Sequence, residues 1–103
     1  MAYKLIVTEA AHNDLDETLG YIAGRLANPI AAANLLVQVE ECYAQLREFP
    51  FLYETCRDLR LKQQGYRKVS VGNYLLIFRT VEAEQTVYIL RFFYGGRDYE
   101  KLI

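Results

Sequence analysis

The chain has 103 residues, of which 52% are hydrophobic and 24% charged, with a net charge of −1 and two cysteines. A chain of this size is one domain that can hold a core without staples, and its composition is globular rather than disordered. No apolar run approaches the ~18–20 residues of a membrane span, and Met1-Ala2-Tyr3 leads straight into a strand pattern rather than a signal peptide, so the cytoplasm is the expected location.

Tyr3–Val7 combines β-branched and aromatic residues and predicts a short strand. Thr8 is a suitable N-cap, and Glu9 falls in the first turn, where the helix dipole favours negative charge. Ala11, Leu15, Leu19, Ile22 and Leu26 recur at spacings of four, four, three and four, which is one helical face, with Asn13, Asp14, Asp16 and Glu17 opposite. Gly20 and Gly24 lower the propensity of this helix and point to close packing on the next. Asn28-Pro29 restarts the chain as N-cap and first helical residue. The second helix carries Ala32, Leu35, Leu36, Val39, Cys42, Tyr43 and Leu46 on one stripe. It ends before Phe49-Pro50, because proline disfavours a helical residue ahead of it. So short a break makes the two helices an antiparallel hairpin.

Residues 51–58 form a connector in which Phe51, Leu52 and Tyr53 are expected to tuck under the sheet. Residues 59–65 read equally as strand or loop. Tyr66–Val71 alternates, with Arg67, Val69 and Val71 on one face and Tyr66, Lys68 and Ser70 on the other. Gly72-Asn73 signals a tight hairpin. Tyr74–Thr80 and Thr86–Phe93 are apolar at almost every position and flank the polar turn Glu82–Gln85. Such runs need cover on both faces of a sheet. Gly95-Gly96 ends the last strand, and Asp98 is placed to start a helical turn in the tail. The order β-α-α-β-β-β over residues 1–103 predicts a single α+β domain, with the helical hairpin packed on one face of a mostly antiparallel sheet.

The charge is unevenly divided. Residues 1–58 hold four Lys/Arg against nine Asp/Glu, whereas residues 59–103 hold eight against four. The sheet half is therefore basic, either as a polyanion-facing patch or as scattered solvated charge. Phe92, Phe93, Tyr74 and Tyr88 give more apolar strand surface than one hairpin can bury, and an apolar surface rimmed by arginine is expected to bind a partner. Cys42 and Cys56 have no metal-ligand spacing, and His12 is the single histidine. Free thiols, no metal and no cofactor are the expectation.

Several stretches stand in a telling order: Tyr3-x-Leu5-Ile6-Val7-Thr8, Leu19-Gly20-Tyr21-Ile22, Asn28-Pro29, Leu46-x-x-Phe49-Pro50, Gly65-Tyr66-Arg67, Asn73-Tyr74-Leu75-Leu76-Ile77-Phe78-Arg79 and Tyr94-Gly95-Gly96-Arg97-Asp98-Tyr99. As an ordered set covering essentially the whole chain, they resemble the RelE/ParE superfamily of toxins from type II toxin–antitoxin systems. The resemblance implies the same β-α-α-β-β-β fold and a cognate antitoxin, encoded alongside, that wraps the toxin. It also implies one of two actions. RelE-like members cleave mRNA on the ribosome without a metal; ParE-like members poison DNA gyrase.

Metal-free cleavage by a 2′-hydroxyl needs a base, a cation for the phosphorane and an acid for the leaving oxygen. The RelE likeness points here to Arg67, Lys68, Arg97 and Tyr99. Tyr66 occupies the position of an expected second lysine, and Leu75 that of an expected arginine. An unperturbed Lys or Tyr titrates near ~10 and needs environmental help at neutral pH. The incomplete set favours ParE-like, non-nuclease action. A ribosome-dependent mRNA endonuclease is the alternative, and a degenerate, non-toxic binding module is the third reading. Each residue also has an ordinary structural role open to it: Arg67 in a sheet-edge ion pair, Arg91 as a half-buried structural residue or partner contact, Arg97-Asp98 as turn and cap, Tyr94 and Tyr99 in packing, His12 as a solvated surface residue. The expected cover for the basic sheet is an acidic, amphipathic antitoxin segment.

Overall fold

The structure is a computed structural model and describes residues 2–95 and 101. The helical turn expected at Asp98 lies outside the described residues. Four strands form one sheet in the order β1-β4-β3-β2: β1 (Lys4–Val7), β2 (Tyr66–Val71), β3 (Tyr74–Val81) and β4 (Thr86–Tyr94). β1 runs parallel to β4, and the other two pairings are antiparallel, so the sheet is mostly antiparallel, as the sequence predicts. Ile77 pairs with Arg91 and Phe78 with Ile89, which leaves Leu90 as the extra residue of a bulge.

Thr8 joins the first strand to the first helix. Its hydroxyl accepts from the Ala11 amide at 3.3 Å and donates to the Ile89 carbonyl at 2.8 Å. One side chain thus caps α1 (Glu9–Gly20) and holds the start of that helix on β4. α1 runs on into a wider π-helical turn, Tyr21–Arg25, where the Leu26 amide reaches back five residues to the Tyr21 carbonyl at 3.0 Å. The chain then leaves through Ala27, held at φ +49°. Gly20 and Gly24 do not mediate the helix contact predicted for them. Apart from the helix's own neighbouring backbone, no atom lies within 4 Å of where a Cβ would stand on either. The hairpin closes instead through Ile22, Ala32 and Leu35, which belong to one buried cluster.

Asn28 accepts from the Ala31 amide at 3.1 Å and opens α2 (Pro29–Glu48), with proline in the first turn. The helix stops at Phe49, whose φ of −133° and ψ of 62° lie outside the helical region that a following proline disfavours. Ala32, Leu35, Val39 and Leu46 are buried, as predicted; Leu36, at 38% exposure, is not.

A helix was not anticipated at residues 59–65. Asp58 accepts from the Leu61 amide at 3.1 Å and starts α3 (Leu59–Gln63), and Gly65 at φ +78° releases the chain into β2. Leu61 and Cys56 meet Ile77 in a second buried cluster. That cluster lies on the sheet face opposite the helical hairpin, since Ile77 alternates with Leu76 and Phe78 of the main core. The connector therefore covers the second face, although through Cys56 rather than the predicted Phe51 and Leu52, which are exposed. Tyr53 packs edge-on to Phe78 at 6.3 Å.

The expectation of an apolar sheet left bare is corrected by this packing. Phe92 and Phe93 are each only 3% exposed, and Tyr74 and Tyr88 are half-buried. Exposed apolar side chains gather elsewhere. Ile30 at 74% and Leu26 at 55% mark the tip of the helical hairpin, with Tyr21 beside them.

Candidate functional site

Strand β2 carries two of the four residues singled out for nuclease chemistry, and its pleat separates them. Arg67 shares a face with Val69 and Val71, which pack on the main core; Lys68 shares the opposite face with Tyr66, which packs on the second cluster. The Arg67 guanidinium is committed to the fold. It donates to the Tyr53 carbonyl at 2.6 Å and lies 5.3 Å above the centre of the Phe51 ring. It is a clamp on the connector rather than the edge ion pair that the sequence suggests.

Lys68 has its ammonium 4.0 Å from a Glu54 carboxylate oxygen, and its side chain is 20% exposed. Its amide also donates to the Glu54 carbonyl at 3.3 Å. Tyr66 and Leu75, at the positions where a nuclease would carry lysine and arginine, pack against Cys56, Leu61 and Ile77. Arg97 and Tyr99 lie outside the described residues. The described half of the predicted catalytic set thus stands on opposite faces of β2.

A second charged centre was not assembled from the sequence. Arg91 donates through Nε to Asp14 Oδ2 at 2.7 Å and through Nη2 to Oδ1 at 3.1 Å, and the Phe92 amide donates to the same Oδ2 at 3.0 Å. β1 ends at Val7, opposite Ile89, so β4 beyond that point has no strand on its outer side. Asp14 supplies the missing acceptor. Its hydrogen bonds raise the pKa of the Arg91 guanidinium further. The signal for Asp14 was its place three residues after buried Ala11 and beside buried Leu15, which puts it at the margin of the inward stripe. Arg91 is thus the half-buried structural arginine that the sequence suggests. His12 is on the surface, 3.2 Å from Asp16 in the next turn.

Burial pushes the Cys42 thiol up to about 11 and the Tyr43 phenol up to about 12, so both stay protonated at neutral pH and neither is an activated nucleophile. Both cysteines are free thiols. Among the described residues no three His, Cys, Asp or Glu side chains gather to hold a metal. No described helix is long and apolar enough to cross a membrane.

What the surface does offer is recesses. Three open grooves follow the seam between the helical hairpin and the sheet. One of about 580 Å³ lies between α2 and β2, a smaller one of about 330 Å³ passes the β2–β3 turn, and one of about 510 Å³ lies between the end of α1 and the ends of β3 and β4.

Solved structures share this architecture. The chain superposes on a chain of the RelBE2 toxin–antitoxin complex from Mycobacterium tuberculosis with a TM-score of 0.65 and 23% identity, covering 91% of this chain and 99% of that one. It also superposes on a chain of the chromosomal ParDE system from P. aeruginosa with a TM-score of 0.71 and 20% identity, covering 90% and 96%. At such identities the likeness is one of fold. Among curated protein sequences none matches closely enough to count as a relative. The family described as the ParE toxin of the type II toxin–antitoxin system parDE matches residues 5–99. With that match over nearly all of the chain, this protein belongs to the ParE toxin family of type II toxin–antitoxin systems, within the RelE/ParE superfamily.

Proposed function

We propose that this chain inhibits growth by binding a protein target, in the ParE manner that is directed at DNA gyrase, and that a cognate antitoxin holds it inactive in the cytoplasm. The observation that carries the reading is the separation of Arg67 from Lys68. Adjacent strand residues point to opposite faces, so the two side chains leave β2 in opposite directions. Arg67 is in addition held by Tyr53 and Phe51. Electrostatic stabilisation of a transition state needs donors aimed at the developing charge, and these two are not aimed at a common point. The ParE family match supports the same lean. That the two solved structures compared above come from toxin–antitoxin systems supports an antitoxin partner.

The test is induction of the chain without its antitoxin, followed by pulse labelling. DNA synthesis is expected to fail first, with DNA damage and filamentation. Early loss of translation with cut mRNA would instead favour the RelE-like endonuclease, whose candidate residues are Arg67, Lys68, Arg97 and Tyr99. Unimpaired growth would leave a binding module without toxicity.

A further inference from the structure

α2 carries two stripes, and the fold buries one of them. Ala32, Leu35, Val39 and Leu46 pack inward. Ile30, Ala33, Val37, Glu40, Ala44 and Arg47 recur at spacings of three, four, three, four and three, and all of them are exposed. With about 3.6 residues per turn, this second stripe runs down the side of the helix turned away from the sheet. The solvent side of a helix laid on a sheet is ordinarily polar. Here four of the six positions are apolar, Val37 being 53% exposed, and the three-four spacing is that of a seam between two paired helices.

The two remaining positions carry opposite charges. Glu40 and Arg47 lie two turns apart, about 10 Å along the axis, beyond the one-turn spacing at which side chains of one helix meet. Among the described residues neither the Glu40 carboxylate nor the Arg47 guanidinium has an ion pair or hydrogen bond within the chain. A parallel second copy would set like charges level with each other. An antiparallel copy, related by a two-fold axis between Tyr43 and Ala44, sets each Glu40 level with Arg47 of the other copy. The stripe thus supplies both halves of two equivalent ion pairs, which is the self-complementarity that a two-fold interface requires. Ala44 stands beside the axis, where a small side chain lets the helices approach. In the same arrangement Val37 comes level with the end of the other α2, where Phe49 is 56% exposed.

We propose that the outer stripe of α2 is the interface of a two-fold dimer of this chain, with the two α2 helices antiparallel and Glu40 paired with Arg47 of the second copy in both directions. Such a dimer depends on neither the toxic target nor the antitoxin. A helix of this length buries roughly 600 Å² per copy against its twin, the lower end of what specific association needs, so the dimer forms at about micromolar concentration. It leaves the sheet face that carries Lys68 and Arg79 pointing outward in both copies.

The experiment is sedimentation velocity of the purified full chain over a concentration series. A dimer with a roughly micromolar Kd is expected. Glu40→Arg and Arg47→Glu are each expected to weaken it by roughly tenfold, because each sets like charges level. The double variant Glu40→Arg/Arg47→Glu is expected to return it to about its original strength. Val37→Glu is expected to leave a monomer with an unchanged Tm, since Val37 is exposed in the single chain. Ala44→Cys is expected to form an intermolecular disulfide under mild oxidation, whereas Ile30→Cys, about 20 Å along the helix from the axis, is not. A chain that stays monomeric at ~100 μM overturns the dimer and leaves the stripe to a different protein. A dimer that survives Val37→Glu, or whose single charge variants are not rescued by the double, overturns the antiparallel α2 pairing.

Discussion

The two faces of the sheet are closed by unequal means. On one, two long helices bury Leu76, Phe78, Val87, Ile89 and Phe92 against Leu15, Val39 and Leu46. On the other, a five-residue helix and a connector bury Ile77 against Cys56 and Leu61. The first face has the depth to be a core. The second is a thin cover laid over apolar strands, and the strand charges Lys68 and Arg79 share it. The contrast teaches that a strand apolar on both sides need not signal a partner. A single turn of helix with a well-placed Asp58 cap suffices to hide one face.

Substitution can test how unequal the faces are. Phe78→Ala is expected to cost about 3–5 kcal/mol, because the residue is fully buried in the deep face. Leu61→Ala is expected to cost about 2–3 kcal/mol, since a thin cover can collapse onto the lost volume. Urea midpoints at constant slope measure both. An equal loss would make the second face a full core and break the comparison.

Asp14 sits where the deep face meets the uncovered margin of β4. Asp14→Ala removes the partner of Arg91 and the acceptor for the Phe92 amide together. We expect a loss of about 2 kcal/mol, discounted from the buried-pair figure because Arg91 is partly exposed. Asp14→Asn keeps an acceptor and should cost less. Faster exchange of the Phe92 amide is the local readout. If its exchange is unchanged, the aspartate does not stand in for a missing strand.

The smallest effect concerns the deep face itself. Thr80 pairs with Val87 there, and its buried hydroxyl has no hydrogen-bond partner. Thr80→Val is expected to raise stability by about 1 kcal/mol, or about 4–8 °C in Tm, by removing an unsatisfied polar group. A fall in Tm would mean that the hydroxyl is satisfied and that the deep face is wetter than its neighbours indicate.

Local signals were legible wherever short-range chemistry decides the outcome. Thr8, Asn28-Pro29, Phe49-Pro50 and Gly72-Asn73 each set a boundary that the structure keeps, because caps, proline and glycine act within a few residues. Residues 59–63 were ambiguous because Leu59-Arg60-Leu61-Lys62 alternates like a strand and is too short to show helical period. The candidate site was less legible still. The alternation of β2 already placed Arg67 and Lys68 on different faces. That Arg67 is spent on Tyr53 and Phe51 depends on a connector whose path no local pattern specifies. Asp14 read as a polar-face residue until β4 was seen to outrun β1.

From its sequence alone this chain determined its four strands, its two long helices, their order and the family it belongs to, because periodicity and capping are carried by neighbours along the backbone. Only the tertiary structure decided which side of the sheet is sealed, which cations are already committed and where the open grooves lie. Those outcomes depend on contacts between residues tens of positions apart, and chain packing, not local propensity, brings them together.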